Sequence, residues 1–228
     1  MNKIAIITAR GGSKRIPKKN IKEFVGKPII AYSIEAALKS GAFDEVMVST
    51  DSEEIAGIAR KYGAVVPFMR SEATSNDFAT TSDVLLEVFD KYEEMGKPVS
   101  LACCIYPTAP FITADRLKEA MDKLEKEEAD TVMPVVSFSF PPQRGMTIRE
   151  GALELVQPEH IITRSQDLEP IYHDAGQFYA INVEHFKESK NVFRGKVLPV
   201  VISELEVQDI DNETDWKLAE MKYTLLNG

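Results

Sequence analysis

Four apolar residues in a row, Ile4 to Ile7, stop at Thr8 and a glycine pair, which predicts a short buried strand over Lys3–Thr8. Further on the apolar period changes: Ile30, Ile34, Ala37 and Leu38 recur at helical spacing, with Gly41 as a stop. Glu45–Thr50 is again strand-like. Asp51-Ser52-Glu53-Glu54 reads as a capping box opening a helix to Tyr62, and Val65–Met69 predicts a third, short strand. Val84, Leu85, Val88, Phe89 and Tyr92 line one helical face, which Gly96-Lys97-Pro98 ends. Ser100–Ile105 is the next apolar strand. Leu117, Ala120, Met121 and Leu124 mark the next helix, and Thr131–Val136 the strand after it.

Strand and helix thus alternate through residue 136, which predicts an α/β fold: a mainly parallel sheet with helices on both faces. Right-handed crossovers line the strand-to-helix loops along one edge, and ligands bind beyond the carboxyl ends of such strands. The loop after the first strand, Asp51 and Tyr106–Phe111 are therefore expected on one rim. The alternation fails after Ser137. Residues 138–173, with Pro141-Pro142, Pro158 and Pro170, read as an irregular excursion. Gln177–Asn182 and Val197–Val201 read as strands, and Trp216, Ala219, Tyr223 and Leu226 stripe a closing helix. No repeat or low-complexity linker divides the chain, so residues 1–228 are expected to form a single domain carrying the 138–173 excursion.

Charge changes the picture at one place. Of 27 Lys+Arg, six (Lys3, Arg10, Lys14, Arg15, Lys18 and Lys19) fall in the first twenty residues, which hold no acid, while the chain has 36 Asp+Glu in all. A net charge of −9 argues against nucleic-acid or anionic-membrane binding, since both favour a broad basic face. No apolar run approaches the length of a membrane span, and the N-terminus lacks the pattern of a signal peptide. The two cysteines, Cys103 and Cys104, are strand neighbours on opposite faces and cannot pair, which favours a reduced, cytoplasmic setting. A concentrated basic loop on an acidic protein, placed after the first strand, points to a polyphosphate. Two unit charges about 4 Å apart gain about 1 kcal/mol in water and about 4 kcal/mol at an effective dielectric near 20, so several cations on one triphosphate add up.

The loop lacks both G-x-x-x-x-G-K-[ST] and G-x-G-x-x-G, which counts against a P-loop NTPase and a nicotinamide-dependent dehydrogenase. Ala9-Arg-Gly-Gly-Ser-Lys-Arg-Ile-Pro-Lys-Lys-Asn20, followed by Gly26-Lys27-Pro28, instead resembles the signature of the CMP-nonulosonic acid synthetases, cytidylyltransferases that activate sialic acid and its relatives. The resemblance continues through Ser49-Thr50-Asp51, Arg70 with Ala79-Thr80-Thr81, Pro107-Thr108-Ala109-Pro110 and Asp209-Ile210-Asp211. It implies a Rossmann-like nucleotidyltransferase domain of three α/β/α layers.

It also implies roles. Ala9, Arg10, Gly11, Ser13, Lys14, Lys19 and Asn20 match positions that hold the CTP phosphates and ribose, with Arg10 and Lys19 stabilising charge during transfer. Arg15 and Lys18 have no matching role and are expected to be solvated. Arg70, Ala79 and Thr81 fall where the family contacts cytosine and ribose. Asp209 and Asp211, two apart, point to one face if extended. They match the family's metal pair, which implies Mg²⁺ or Mn²⁺, and Asp211 then counts with Arg10 and Lys19 as catalytic. The same stretch has a structural reading, in which Asp211 or Asn212 caps the last helix.

Sialic acid synthetases show Gln-Pro-Thr-Ser-Pro-Leu-Arg where this chain has Tyr106-Pro-Thr-Ala-Pro-Phe-Ile112. Arg164-Ser-Gln-Asp-Leu168 and Tyr172-His-Asp-Ala-Gly-Gln-Phe-Tyr179 are similar to the pseudaminic acid branch. Tyr106, Arg164, Gln166, Asp174 and Gln177 are the sugar-contact candidates. The resemblance implies a homodimer too, with the 138–173 excursion reaching the partner's sugar pocket. Other readings are a legionaminic or sialic acid synthetase, or a nucleotide-binding regulator without catalysis; the presence of Arg10, Lys19 and both aspartates weighs against the last.

Overall fold

The computed structural model describes residues 2–228. Its strands are β1 (Lys3–Thr8), β2 (Glu23–Phe24), β3 (Lys27–Pro28), β4 (Glu45–Ser49), β5 (Leu101–Ile105), β6 (Thr131–Ser137), β7 (Met146–Arg149), β8 (Ala152–Leu155), β9 (Tyr172–Asp174), β10 (Phe178–Asn182) and β11 (Val197–Val201). The α-helices are α1 (Ile30–Ser40), α2 (Glu53–Lys61), α3 (Glu72–Ser75), α4 (Thr81–Glu94), α5 (Ala114–Lys126), α6 (Val183–Ser189) and α7 (Glu213–Asn227).

The main sheet runs β11-β6-β10-β5-β1-β4, with β9 added to β6. β1 pairs in parallel with β4 and β5, and β11 with β6; β10 is antiparallel to both its neighbours. The expected mainly parallel sheet is therefore present, with β9 and β10 as the reversed members. Alternate residues of each strand feed two separate cores. Ala5, Ile7, Val48 and Cys103 pack against α1, α2 and α5, while Ile4, Ile6, Met47 and Cys104 pack against α4 and α6. The adjacent cysteines thus face opposite layers, both fully buried and unpaired. Burial pushes both thiols up, Cys104 to about 12, so neither is poised for chemistry.

Two local expectations fail. Val65–Met69 is not a strand: Val65 forms a lone bridge to Met47, and Pro67 then removes a ladder donor. The helix after Asp51 is capped by Ser52 accepting from the Ile55 backbone, without the reciprocal half of a capping box, because Ile55 and not a glutamate occupies the third helical position. Asp51 is thereby left for another partner.

A third core has no counterpart in the strand pattern. Ile16, Phe24, Tyr32, Phe111, Ile210 and Trp216 form one buried cluster, in which the Phe24 and Trp216 rings meet edge to face at 5.6 Å. Removing one such aromatic costs about 3–5 kcal/mol, so this cluster is a strong clamp. It joins residues 16–32 to residues 210–223 and brings the two ends of the chain together at the carboxyl edge of the sheet.

Residues 138–171 leave the sheet, as expected, but are not featureless: β7 and β8 form an antiparallel hairpin. Tyr172–Asp174 already belongs to the sheet, so the excursion ends two residues before the expected boundary. Its apolar side chains lack a cover in this chain, with Ile148 75%, Leu153 69% and Ile162 90% exposed. No helix among the described residues is long and apolar enough to cross a membrane.

Candidate active site

The basic loop leaves β1 with its backbone pinned to β4: the Ala9 amide donates to the Ser49 carbonyl at 3.0 Å, and the Gly11 amide to Asp51 Oδ1 at 2.8 Å. A side chain at Gly11 would place its Cβ 3.2 Å from Ser52 Cβ, so glycine is what permits this close approach. Asn20 closes the loop by donating from Nδ2 to the Arg10 carbonyl at 2.9 Å, and Ile16 anchors it in the third core. Between these anchors Thr8, Arg10, Ser13, Lys14, Arg15, Lys19 and Asn20 line a cavity of about 420 Å³, walled by Tyr106, Pro107 and Thr108.

Lys19 is the half-buried, least exposed member of the cationic group. Its Nζ donates to the Ile210 carbonyl at 2.6 Å and lies 3.9 Å from Asp211 Oδ1. Burial holds its ammonium below the ordinary lysine range, against the opposing pull of Asp211 and Asp209. Both aspartates of the far motif are therefore within electrostatic reach of the loop. Ile210 between them is buried and both acids remain open to solvent, so the two carboxylates share the outer face. Capping of α7 falls to Asn212, which accepts from the Thr214 and Asp215 amides, while Asp215 returns bonds to the Asp211 and Asn212 amides. Asp211 keeps its side chain free of that task.

Arg15 is exposed to solvent, as expected, and has a partner as well. Its Nη1 pairs with Asp211 Oδ2 at 2.7 Å, because the loop curls toward the α7 N-terminus. Lys18 likewise pairs with Glu54, and Lys3 with Glu125. Arg10 and Lys14 both reach Asp77, an acid that nothing in the loop's own sequence pattern announces.

A second cavity of about 320 Å³ adjoins the first and shares Tyr106 and Thr108 with it; Asp174, Gly176, Gln177, Tyr179, Gln208 and Asp209 complete the lining. It opens where the reversed strand breaks between β9 and β10. Gly176, at φ +63°, turns the chain there, and its amide donates to Asp174 Oδ1 at 2.7 Å. Asp174 Oδ2 accepts from the Tyr179 hydroxyl, and the Tyr179 ring meets Tyr106 edge to face at 5.8 Å. Burial raises both phenols above the ordinary tyrosine value, which keeps them neutral donors. Gln177 is buried and donates to the Glu206 carbonyl.

Of the other candidates, Arg70 is buried in the β4 wall, with Nε on Ser49 Oγ at 3.0 Å and Nη2 on the Ser49 carbonyl at 2.6 Å. Desolvation lowers its pKa, and Asp51 opposes this. Ala79 and Thr81 flank Thr80, the residue that caps α4. Arg164 and Gln166 do not join this site within the chain. Arg164 pairs with Asp167 at 2.7 Å, and Gln166 lines a separate cavity inside the excursion. Tyr179 escaped the sequence reading although it lies in the quoted Tyr172–Tyr179 run; its strand position alone gave no chemistry.

The donor set at Asp209 and Asp211 suits a hard divalent cation. Both are carboxylates, and no group of three or more His, Cys, Asp or Glu able to hold a metal occurs among the described residues. A cation there would take two protein carboxylates and complete its shell with phosphate and water oxygens, as Mg²⁺ does.

The cytidylyltransferase family model matches residues 4–218. The chain belongs to that family. This cytidylyltransferase is 39% identical over 224 residues to the pseudaminic acid cytidylyltransferase of Campylobacter jejuni, covering 98% of this chain and 97% of the relative. It is 36% identical to the CMP-N,N'-diacetyllegionaminic acid synthase of Legionella pneumophila, over 96% of this chain and 95% of that protein. Among solved structures, a CMP:2-keto-3-deoxy-manno-octonic acid synthetase complexed with CTP superposes with a TM-score of 0.69, covering 100% of this chain and 99% of that one, at 18% identity; this likeness shows the fold alone.

The two arginines separate by role. Arg70→Ala is expected to destabilise the ligand-free protein by about 1–3 kcal/mol, since it leaves the buried Ser49 hydroxyl without its partner and the Ser49 carbonyl with the Ala9 amide alone. Arg10→Ala should change unfolding free energy by less than about 0.5 kcal/mol while weakening nucleotide binding. Urea denaturation and calorimetric titration of both variants check this.

Proposed function

We propose that the enzyme transfers the cytidylyl group of CTP to pseudaminic acid, giving CMP-pseudaminic acid and pyrophosphate. One observation carries the reading: a cationic cavity lined by Lys19 and an acidic, aromatic cavity lined by Asp209 share Tyr106 and Thr108, and Lys19 lies 3.9 Å from Asp211 of the same acidic motif. The names of the two relatives and the spread of their identity over the whole chain support the substrate pair.

In this reading the amides of Ala9 and Gly11 set the loop backbone, Ser13 and Lys14 hold the outer phosphates, and Arg10 and Lys19 sit nearest the transferred and leaving groups. Their charge opposes the negative charge that builds on phosphate oxygens during in-line displacement, and the half-buried setting of Lys19 strengthens that effect. Arg70, Ala79 and Thr81 form the base and ribose end. Tyr106 and Asp174, fixed by Tyr179, and Gln177 face the sugar acid; the neutral Tyr106 phenol offers it a hydrogen bond while the Tyr106 and Tyr179 rings cover its methyl-bearing side. Asp209 and Asp211 would hold Mg²⁺ or Mn²⁺, which when bound supplies charge neutralisation at the phosphates and acidifies an adjacent hydroxyl. Arg15 then releases Asp211. The attacking anomeric hydroxyl is positioned by the sugar cavity, so that proximity does much of the work.

The excursion is the dimer contact. Its exposed Ile148, Leu153 and Ile162 support this, and Arg164 and Gln166 then serve the sugar cavity of the partner subunit. Sedimentation equilibrium at micromolar concentration should give a dimer; a fully active monomer would reject this assignment.

Substrate choice is measured by pyrophosphate release from CTP and Mg²⁺ with pseudaminic, legionaminic and sialic acids in parallel. The expected order has pseudaminic acid highest in kcat/KM by at least about tenfold, the range that one or two altered polar contacts supply. Preference for either other acid would sink the pseudaminic assignment, and release with none of them would sink the transfer reading.

A further inference from the structure

The segment between α3 and α4 carries an ion pair that the transfer chemistry does not use. Asp77 Oδ1 accepts from Arg10 Nη1 at 3.0 Å, and its Oδ2 accepts from Lys14 Nζ. Arg10 Nη1 also donates to the Asn76 carbonyl at 3.2 Å. Two oxygens of one anion, each on a different cation of the phosphate cavity, are what a phosphate group would present in the same place. The two cations hold the Asp77 carboxyl below its ordinary range, Lys14 contributing most.

The tip is shaped to present this carboxylate. Asn76 Oδ1 accepts from the Phe78 amide at 2.8 Å and the Ala79 amide at 3.0 Å, a side-chain turn that projects Asp77. Its flanks are fixed: Arg70 is locked into the β4 wall, and Thr80 and Asp83 form a capping box at the start of α4. The tip itself stands in solvent, with Phe78 93% exposed. The Asp77 side chain is 46% exposed and that of Arg10 38%, so the pairs are solvated and exchangeable.

We propose that Asp77 is a specificity-determining residue, an internal counter-ion that occupies Arg10 and Lys14 until a ligand carrying two or more linked phosphates displaces it. This rests on the reading of the cavity as a nucleoside triphosphate site. A polyphosphate brings several charges to the same two cations and outcompetes one carboxylate. A nucleoside monophosphate lacks the outer phosphates and leaves the pair intact. After transfer, departure of pyrophosphate lets Asp77 return, which removes two cations from any remaining anion and favours release. In the empty protein the same contact keeps two like charges side by side in the geometry the next ligand needs.

Calorimetric titration with CTP, inorganic pyrophosphate and CMP, at low ionic strength and without divalent cation, tests this on the wild type, Asp77→Asn and Asp77→Ser. Both variants should bind CTP and pyrophosphate about threefold to tenfold more tightly, with CMP binding unchanged. The serine variant separates loss of charge from any new contact made by the amide. Unchanged or weaker pyrophosphate binding in both variants, with wild-type unfolding midpoints, overturns the proposal and leaves the nucleotide reading intact. Equal tightening toward CMP also overturns it, because selectivity would be absent. A wild type that binds neither CTP nor pyrophosphate overturns both readings.

Discussion

The packing of Ile16 against Ile210 and Trp216 is the constraint on which the rest of the site depends. Residues 16 and 210 are far apart in the chain, and neither belongs to a strand of the sheet. Their burial in a common aromatic cluster fixes the basic loop against the acidic segment and sets Lys19 on the Ile210 carbonyl. The sheet supplies the rim, but the clamp decides what stands on it. Without the clamp, a cationic loop at the end of β1 and an acidic loop before α7 would be two unrelated surface features.

Electrostatics around the site follow one pattern. Three of the charges that the proposed function assigns to ligands are answered by a charge of the protein: Arg10 and Lys14 by Asp77, and Asp211 by Arg15. All of these groups are partly exposed, so the pairs contribute little to folding. Their role lies in geometry, keeping cations close together and an acid turned outward at small cost. Lys19 is the exception. It is desolvated and held by a carbonyl, and it forms the fixed point around which the exchangeable pairs are arranged.

Much of this was legible in the chain. Continuous apolar runs located β1, β4, β5 and β6, which are buried on both faces, and helical spacing located α1, α4, α5 and α7, each of which buries one face. Val65–Met69 misled because an apolar run beside Pro67 lacks the donors for a ladder, however β-branched it is. The basic loop was readable as a polyphosphate site from its charge and its place after β1, whereas the roles of its residues and of the aspartate pair came from the family resemblance. Asp77 and Tyr179 were not. Each takes its meaning from a partner distant in sequence, Arg10 for one and Tyr106 for the other, and no local pattern encodes such a meeting. Arg164 and Gln166 show the reverse case: their residue types suit a sugar acid, yet the fold of a single chain holds them within the excursion.

A cationic loop from one end of the chain and an acidic segment from the other stand together at one rim, and their action as a single reactive centre is the central claim. A double-mutant cycle on Lys19→Ala and Asp211→Ala, read as kcat/KM for CTP-dependent pyrophosphate release, tests it most directly. If the two act as one unit, the double variant loses far less than the product of the single losses, a coupling of about 1–3 kcal/mol. Independent, multiplicative losses would mean that the two ends of the chain do not share a site.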